Sequence, residues 1–115
     1  MRAVLICDDD PESRTELRRS LHGFDVVETE TETAARAALE QRPFDAIVAD
    51  ALDVLQFVRI AYPATVRFLV SSQELEVVVR AVNDGAAHRF FQKPWDADKL
   101  RTTLELVLQA RVAGG

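Results

Sequence analysis

Cysteine, histidine and long apolar runs are scarce in this chain, and each shortage excludes something. Cys7 is the only cysteine, so no internal disulfide can form. The two histidines, His22 and His88, lie far apart and have no cysteine partners, which argues against a zinc site or a catalytic histidine pair and predicts ordinary surface histidines. No apolar run approaches the roughly 18 residues of a membrane span. Met1-Arg2 leads straight into a short apolar run rather than a secretory leader, which gives the expectation of a cytoplasmic address and no membrane partner. No internal repeat, low-complexity segment or interdomain linker interrupts the sequence. A surplus of positive charge is also missing. Fourteen Lys and Arg stand against 19 Asp and Glu, a net charge of -5 with the signs interspersed, so the expected partners are proteins or cations and not nucleic acid.

What is present fits one domain spanning residues 1–115. The chain is 48% hydrophobic and 29% charged, and a chain of this size buries roughly two-thirds of its unfolded surface without help from disulfides or structural metal. Short apolar runs alternate with helical patterns from end to end, the pattern of a parallel sheet wrapped by helices. The strands are expected at Ala3 to Cys7, Asp25 to Thr29, Ala46 to Ala49, Val66 to Val70 and Arg89 to Gln92. The first, third and fourth are nearly pure apolar, as strands covered on both faces are, and should form the centre of the sheet with the Cys7 thiol buried.

Caps and spacing place the helices. Pro11 suits an early helical position, and Leu17 and Leu21 then share a face before Gly23. Helix two is expected from about Thr31 to Glu40, with Pro43 ending it and Ala34, Ala35, Ala38 and Leu39 forming a close-packing face. Helix three lies between Asp53 and Tyr62, and its apolar residues Val54, Leu55, Phe57, Val58 and Ile60 surround more than one face, so that something beyond the sheet is expected to cover it. Helix four carries Leu75, Val78, Val79 and Val82 at core spacing and stops at Asn83-Asp84-Gly85. Asp96 caps helix five, whose inward stripe is Leu100, Leu104, Val107 and Leu108, with Trp95 packing at its entrance. Arg111 to Gly115 reads as a fraying end. Ala113-Gly114-Gly115 is either a natural terminus or a cut in a longer protein, and both readings stay open.

In an open parallel sheet, residues just beyond the carboxyl ends of the strands meet at one rim, where the strand order switches direction. Here strand one ends in Asp8-Asp9-Asp10, strand three in Asp50, strand four in Ser71-Ser72 and strand five in Lys93-Pro94. Crowded carboxylates raise one another's pKa or demand a cation. Mg²⁺ suits them, since it takes hard oxygen ligands from one or two carboxylates, phosphate and water, and Asp8, Asp9 and Asp50 can supply the protein's share. A carboxylate also attacks phosphorus while a lysine and a hydroxyl neutralise the transferred oxygens, three roles that suit Asp50, Lys93 and Ser71. Of the three leading acids, Asp10 is expected to cap helix one.

Over essentially its whole length the chain resembles the receiver domains of two-component response regulators. Leu-Ile-Cys-Asp-Asp-Asp-Pro is similar to the family's acidic turn after strand one, Phe-Asp-Ala-Ile-Val-Ala-Asp to its phosphoacceptor strand, and Phe-Phe-Gln-Lys-Pro-Trp to its lysine-proline strand end. The resemblance implies a flavodoxin-like α/β fold with five parallel strands in the order 2-1-3-4-5 and helices on both faces. It implies that Asp8 and Asp9 bind Mg²⁺, that Asp50 takes the phosphoryl group, that Ser71 contacts it and that Lys93 pairs with it across a Lys93-Pro94 cis peptide. Phe90 matches the aromatic switch position coupled to the hydroxyl of strand four, for which Ser72 is the weaker candidate. A histidine kinase, a phosphotransfer protein or a small phosphodonor would supply the group, and an effector domain or protein would read the result. Such a domain is regulatory and not an enzyme beyond its own phosphorylation and dephosphorylation. Ala-Tyr-Pro-Ala-Thr-Val-Arg-Phe-Leu and Val-Asn-Asp-Gly further resemble receivers joined to HD-GYP-type cyclic-di-GMP phosphodiesterases, whose effector is absent from these residues.

The pattern breaks after Asp50. Family members usually carry a Met-Pro-x-Met-Asp-Gly loop there, whereas Asp50 runs directly into Ala-Leu-Asp-Val-Leu-Gln-Phe, a loss of roughly half a dozen residues, enough to remove most of a typical loop. The backbone carbonyl of Leu52 would have to complete the metal site from an altered turn. Asp53 is either a remnant of the lost Asp-Gly or, the favoured reading, the cap of helix three. A second functional class follows from this loss: a degenerate receiver acting as a phosphorylation-independent interaction or homodimerisation module through exposed Phe57 and Ile60. A flavin-binding domain on the same fold fits poorly, because the acidic rim repels a flavin phosphate.

Overall fold

A computed structural model describes the backbone of residues 1–114 and the side chains through Arg111. Five strands, β1 (Ala3–Cys7), β2 (Asp25–Thr29), β3 (Ala46–Ala49), β4 (Val66–Ser71) and β5 (Arg89–Gln92), alternate with five helices, α1 (Pro11–Ser20), α2 (Glu32–Gln41), α3 (Leu52–Ala61), α4 (Leu75–Asn83) and α5 (Ala97–Gly114). The strands form one sheet in the order β2-β1-β3-β4-β5, every neighbouring pair parallel. The three nearly pure apolar runs are the three central strands, as double burial requires.

Because side chains alternate across a strand, each apolar run feeds two cores. Leu5, Cys7, Ile47, Ala49 and Leu69 face α2, α3 and α4, packing with Ala35, Leu39, Leu55, Val58 and Val78. Val4, Ile6, Val48, Phe68 and Val70 face α1 and α5, packing with Leu17, Leu21, Leu100, Leu104 and Leu108. The caps of α1 and α5 are those expected, and Thr31 caps α2 as well. Asp10 accepts from the Glu12 N–H and the Ser13 hydroxyl at the head of α1, Thr31 accepts from the Ala34 N–H at α2, and Asp96 accepts from the Lys99 N–H at α5. Gly85 ends α4 at φ +83°, a conformation that costs glycine little. The Trp95 indole N–H donates to Ser20 Oγ at 3.0 Å, tying the entrance of α5 to α1.

Several expectations are corrected. The α3 helix begins at Leu52, its N-cap is Ala51 without a side-chain cap, and Asp53 lies inside the first turn, so Asp53 is not the cap. Only Asp50 and Ala51 lie between β3 and α3, so the helix starts before the position the sequence suggested. Phe57 is not an exposed contact residue either. The Arg36 guanidinium of α2 lies 3.9 Å from its ring centroid and Tyr62 packs edge-on at 6.1 Å, leaving Ile60 as the uncovered apolar residue of α3, 82% exposed.

On α4 the buried pair is Val78 and Ala81, with Val82 half-buried, while Leu75 and Val79 are 63% and 47% exposed. The small Ala81 lets the helix approach the sheet on that stripe, so the phase of burial differs from the one the larger residues suggested. Arg111 does not fray. Its guanidinium donates to the Asp45 and Ala64 carbonyls and pairs with the Asp45 carboxylate at 3.3 Å; Gly115 and the side chains after Arg111 lie outside the described residues.

His88 is half-buried rather than a surface histidine, its Nδ1 accepting from the Arg67 N–H at 2.9 Å. Arg67 itself sits in the core of β4, 7% exposed, and its guanidinium donates to the carbonyls of Pro63, Thr65, Gly85 and Ala86. It thereby joins the loops entering β4 and β5. Buried N–H groups need such partners, and the carbonyls supply them in place of a carboxylate.

The orientation of α3 is testable by urea denaturation. Leu55→Ala, which empties a fully buried site, is expected to lower stability by about 3 kcal/mol, and Ile60→Ala to change it by less than about 0.5 kcal/mol. Equal losses would show α3 turned differently on the sheet.

Candidate functional site

Parallel pairing of β1 with β3 sets Cys7 opposite Ala49, so the next residue of each strand, Asp8 and Asp50, leaves the sheet side by side. The Asp50 N–H donates to the Cys7 carbonyl at 3.2 Å and extends the ladder by one step. Asp8, Asp9 and Asp50 each bring a carboxylate oxygen within 4.8 Å of the other two. Asp8 is fully buried, Asp50 half-buried and Asp9 exposed, so the cluster opens to solvent on the Asp9 side.

Lysine enters from the far side of the sheet. The Lys93 N–H donates to the Ser71 carbonyl, and the chain turns at a cis Lys93-Pro94 peptide, with Lys93 Nζ 2.9 Å from Asp8 Oδ2. In this structure the ammonium pairs with Asp8, whereas the resemblance implied a partner on Asp50 that arrives only with phosphorylation. Ser71 is 3% exposed and its Oγ accepts from the Gln73 N–H at 3.0 Å, while the neighbouring Ser72 is exposed. Phe90 pairs with Leu69 in the β4–β5 register, on the face that Ser71 also shares by alternation. It is half-buried and borders a groove of about 330 Å³ with Val78, Val79, Val82 and His88. Leu52 is the first residue of α3, so its carbonyl joins the helical ladder and runs toward the helix's C-terminal end, away from Asp50.

The electrostatics follow from the crowding. Burial, then the Asp8 charge and a hydrogen bond with Asp8, push the Asp50 carboxyl up to about 6, against partial relief from Lys93. Asp10 goes the other way: N–H and hydroxyl donors at the head of α1 hold it below its ordinary value, so it serves as the cap and not as a member of the cluster. Burial pushes the Cys7 thiol up to about 11, which keeps it protonated and inert beneath the site. Three hard carboxylate oxygens that repel one another on an open rim are a donor set suited to Mg²⁺, which keeps water in its remaining positions.

The sequence profile of the response regulator receiver domain matches residues 4–105. The chain belongs to that family. Receivers are regulatory domains of two-component signalling, working with histidine kinases and effector domains. The hydrogenase transcriptional regulatory protein HoxA of Bradyrhizobium diazoefficiens is 30% identical over 115 residues, a match that spans 92% of this chain and 24% of that protein. The chain thus corresponds to about a quarter of the length of this curated relative.

Solved structures agree on the fold. A signal receiver domain of an HD domain-containing protein from Pseudomonas fluorescens superposes with a TM-score of 0.87 at 23% identity, covering 97% of this chain and 98% of that one. A CheY-like receiver from Methanospirillum hungatei gives 0.88 at 20% identity, covering 100% and 99%. At these identities the likeness speaks for the fold alone. No helix among the described residues is long and apolar enough to cross a membrane.

Sequence reasoning missed Arg14, whose Nη1 donates to the Asp8 carbonyl at 2.7 Å. The available signal was an arginine on the first turn of a helix that follows an acidic loop, and it does not separate this role from that of a solvated surface charge.

The raised Asp50 carboxyl has a consequence for stability. Its ordinary value is 3.8, so between about pH 4 and 6 the folded protein holds a proton that the unfolded chain has released, and this group's contribution to stability falls as pH rises through that window. In the absence of divalent cations, Asp50→Asn is therefore expected to match the wild type near pH 4 and to exceed it at pH 7 by about 1–2 kcal/mol, a discounted figure because Asp50 stays partly open to water. Millimolar Mg²⁺ should narrow the gap. Thermal melts across this range check the point, and a pH-independent difference would contradict it.

Proposed function

We propose that this domain is a phosphoacceptor receiver in which Asp50 takes a phosphoryl group with the help of Mg²⁺ held by Asp8, Asp9 and Asp50. The observation that carries the reading is the convergence of these three carboxylates within 4.8 Å on a rim that also bears Lys93. Bound Mg²⁺ supplies charge neutralisation for the incoming phosphoryl oxygens. An Asp50 oxygen attacks phosphorus, the bond from phosphorus to the donor's leaving atom breaks, and the leaving group departs with its electron pair and takes a proton from solvent.

Lys93 then exchanges its bond to Asp8 Oδ2 for one to a phosphoryl oxygen, a move of a single flexible side chain. The Ser71 hydroxyl already accepts from Gln73, so its own proton is available to donate. Pulling Ser71 toward the phosphoryl group lets Phe90 turn further into the groove it borders beneath α4, which alters the surface around α4 and β5. The two-residue β3–α3 link has a cost. With the Leu52 carbonyl engaged in α3, the chain would offer Mg²⁺ the carboxylate oxygens of Asp8, Asp9 and Asp50 without a backbone oxygen, and the affinity would be modest.

The partner supplying the group is a histidine kinase or phosphotransfer protein, and acetyl phosphate stands in for either. Incubation with acetyl phosphate and Mg²⁺ is expected to add one phosphoryl mass to the intact protein. Asp50→Asn abolishes the gain and Lys93→Ala reduces its rate by about 10²-fold. An unmodified wild type, or a gain that survives in Asp50→Asn, would remove the proposal.

A further inference from the structure

Asp8 is tied at every polar group it has. Its N–H donates to the Thr29 carbonyl at 3.1 Å, Oδ1 accepts from the Asp10 N–H at 2.9 Å, Oδ2 holds Lys93 Nζ, and its carbonyl accepts from Arg14 Nη1 at 2.7 Å. The first three contacts fix the strand end and the Asp8 carboxylate itself. The fourth acts elsewhere. The Asp8 carbonyl oxygen belongs to the planar Asp8–Asp9 peptide, and the orientation of that plane sets the direction in which Asp9 leaves the strand. The guanidinium is in turn steadied from β2, with Arg14 Nε 3.9 Å from Glu28 Oε1, while Arg18 engages Oε2 of the same carboxylate. Arg14 is mostly covered, its side chain 19% exposed. An arginine held from α1 and β2 thus grips the one peptide that joins two of the three clustered acids.

We propose that Arg14 is a positioning residue for the divalent-cation site, fixing the Asp8–Asp9 peptide plane so that the Asp9 carboxylate stays within reach of Asp8 and Asp50. The inference rests on the Mg²⁺ reading above. Its physical content is a sign. A positive charge close to a cation site opposes cation binding, so if charge were all that Arg14 contributed, its removal would tighten Mg²⁺. Orienting a ligand has the opposite consequence, because losing a hydrogen bond that supports a metal ligand weakens the metal, commonly by about tenfold or more. Lysine keeps the charge but offers a single compact donor on a flexible stem and cannot hold the carbonyl and Glu28 together, so it should not substitute fully.

Calorimetric titration of Mg²⁺ into the unphosphorylated chain tests this without reference to phosphorylation. Arg14→Ala is expected to raise the Mg²⁺ Kd about tenfold, with Arg14→Lys and Glu28→Gln intermediate. In an Asp9→Asn background the further loss of Arg14 is expected to change Kd by less than about twofold, since a residue that acts through Asp9 has nothing left to orient.

An unchanged or lowered Kd in Arg14→Ala, or a full tenfold loss in the Asp9→Asn background, overturns the assignment while leaving the proposed function intact. A wild type that takes up no Mg²⁺ at millimolar concentration overturns the metal reading and this inference with it. Should Arg14→Ala fail to fold in the metal-free state, judged by its melting transition in EDTA, the Arg14→Lys and Glu28→Gln titrations decide the matter by the same sign.

Discussion

Everything distinctive about this domain depends on one crowding of like charge, the carboxylates of Asp8 and Asp50 forced together where β1 and β3 end. The parallel register leaves them no choice, because pairing Cys7 with Ala49 sends the next residue of each strand off the same edge in the same direction. Repulsion between the acids is tolerated for two reasons. Lys93 brings an ammonium to Asp8, and Asp50 responds by holding its proton up to about pH 6. Strain of this kind is what a divalent cation relieves, and the proposed phosphoacceptor role would use the same feature that costs stability.

The rest of the fold serves that edge. Two cores on opposite faces of the sheet lock the central strands in register, and the hydrogen bond from the Lys93 N–H to the Ser71 carbonyl carries β5 far enough to deliver its lysine. Deletion between β3 and α3 alters this frame without breaking it. Asp50 keeps its place because it directly follows β3 and its N–H still pairs with the Cys7 carbonyl, while the shortened segment lies in the link to α3. The helix simply starts earlier, at Leu52, and draws that residue's carbonyl into its own ladder.

Much of this is legible in the sequence. The strands are legible because double burial leaves nearly pure apolar runs, and the helices because Asp10, Asp96 and Gly85 carry strong local signals at their ends. Less legible were features in which a residue's partner lies far along the chain. Arg67 interrupts an apolar strand and must find acceptors, yet nothing nearby indicates that Gly85 and Ala86 provide two of them. His88 has no sequence neighbour that marks its Nδ1 as an acceptor for the Arg67 N–H. Nothing near Phe57 in the sequence marks the Arg36 guanidinium of α2 that covers its ring. On α4 the choice between two apolar stripes turned on the small Ala81, whose advantage exists only against a sheet already in place.

The sequence by itself determined the order of elements, which strands lie innermost and the caps Asp10 and Asp96, because those outcomes follow from hydrophobic period and local hydrogen bonding within a few positions. It also determined that acids, a hydroxyl and a lysine stand at strand ends. Only the tertiary structure decided how they pair: Lys93 with Asp8 and not Asp50, Arg14 with the Asp8 carbonyl, Leu52 within α3 and not at the rim. The first joins residues 85 apart, and the other two depend on how the chain turns at the rim, which a linear order of residues does not contain.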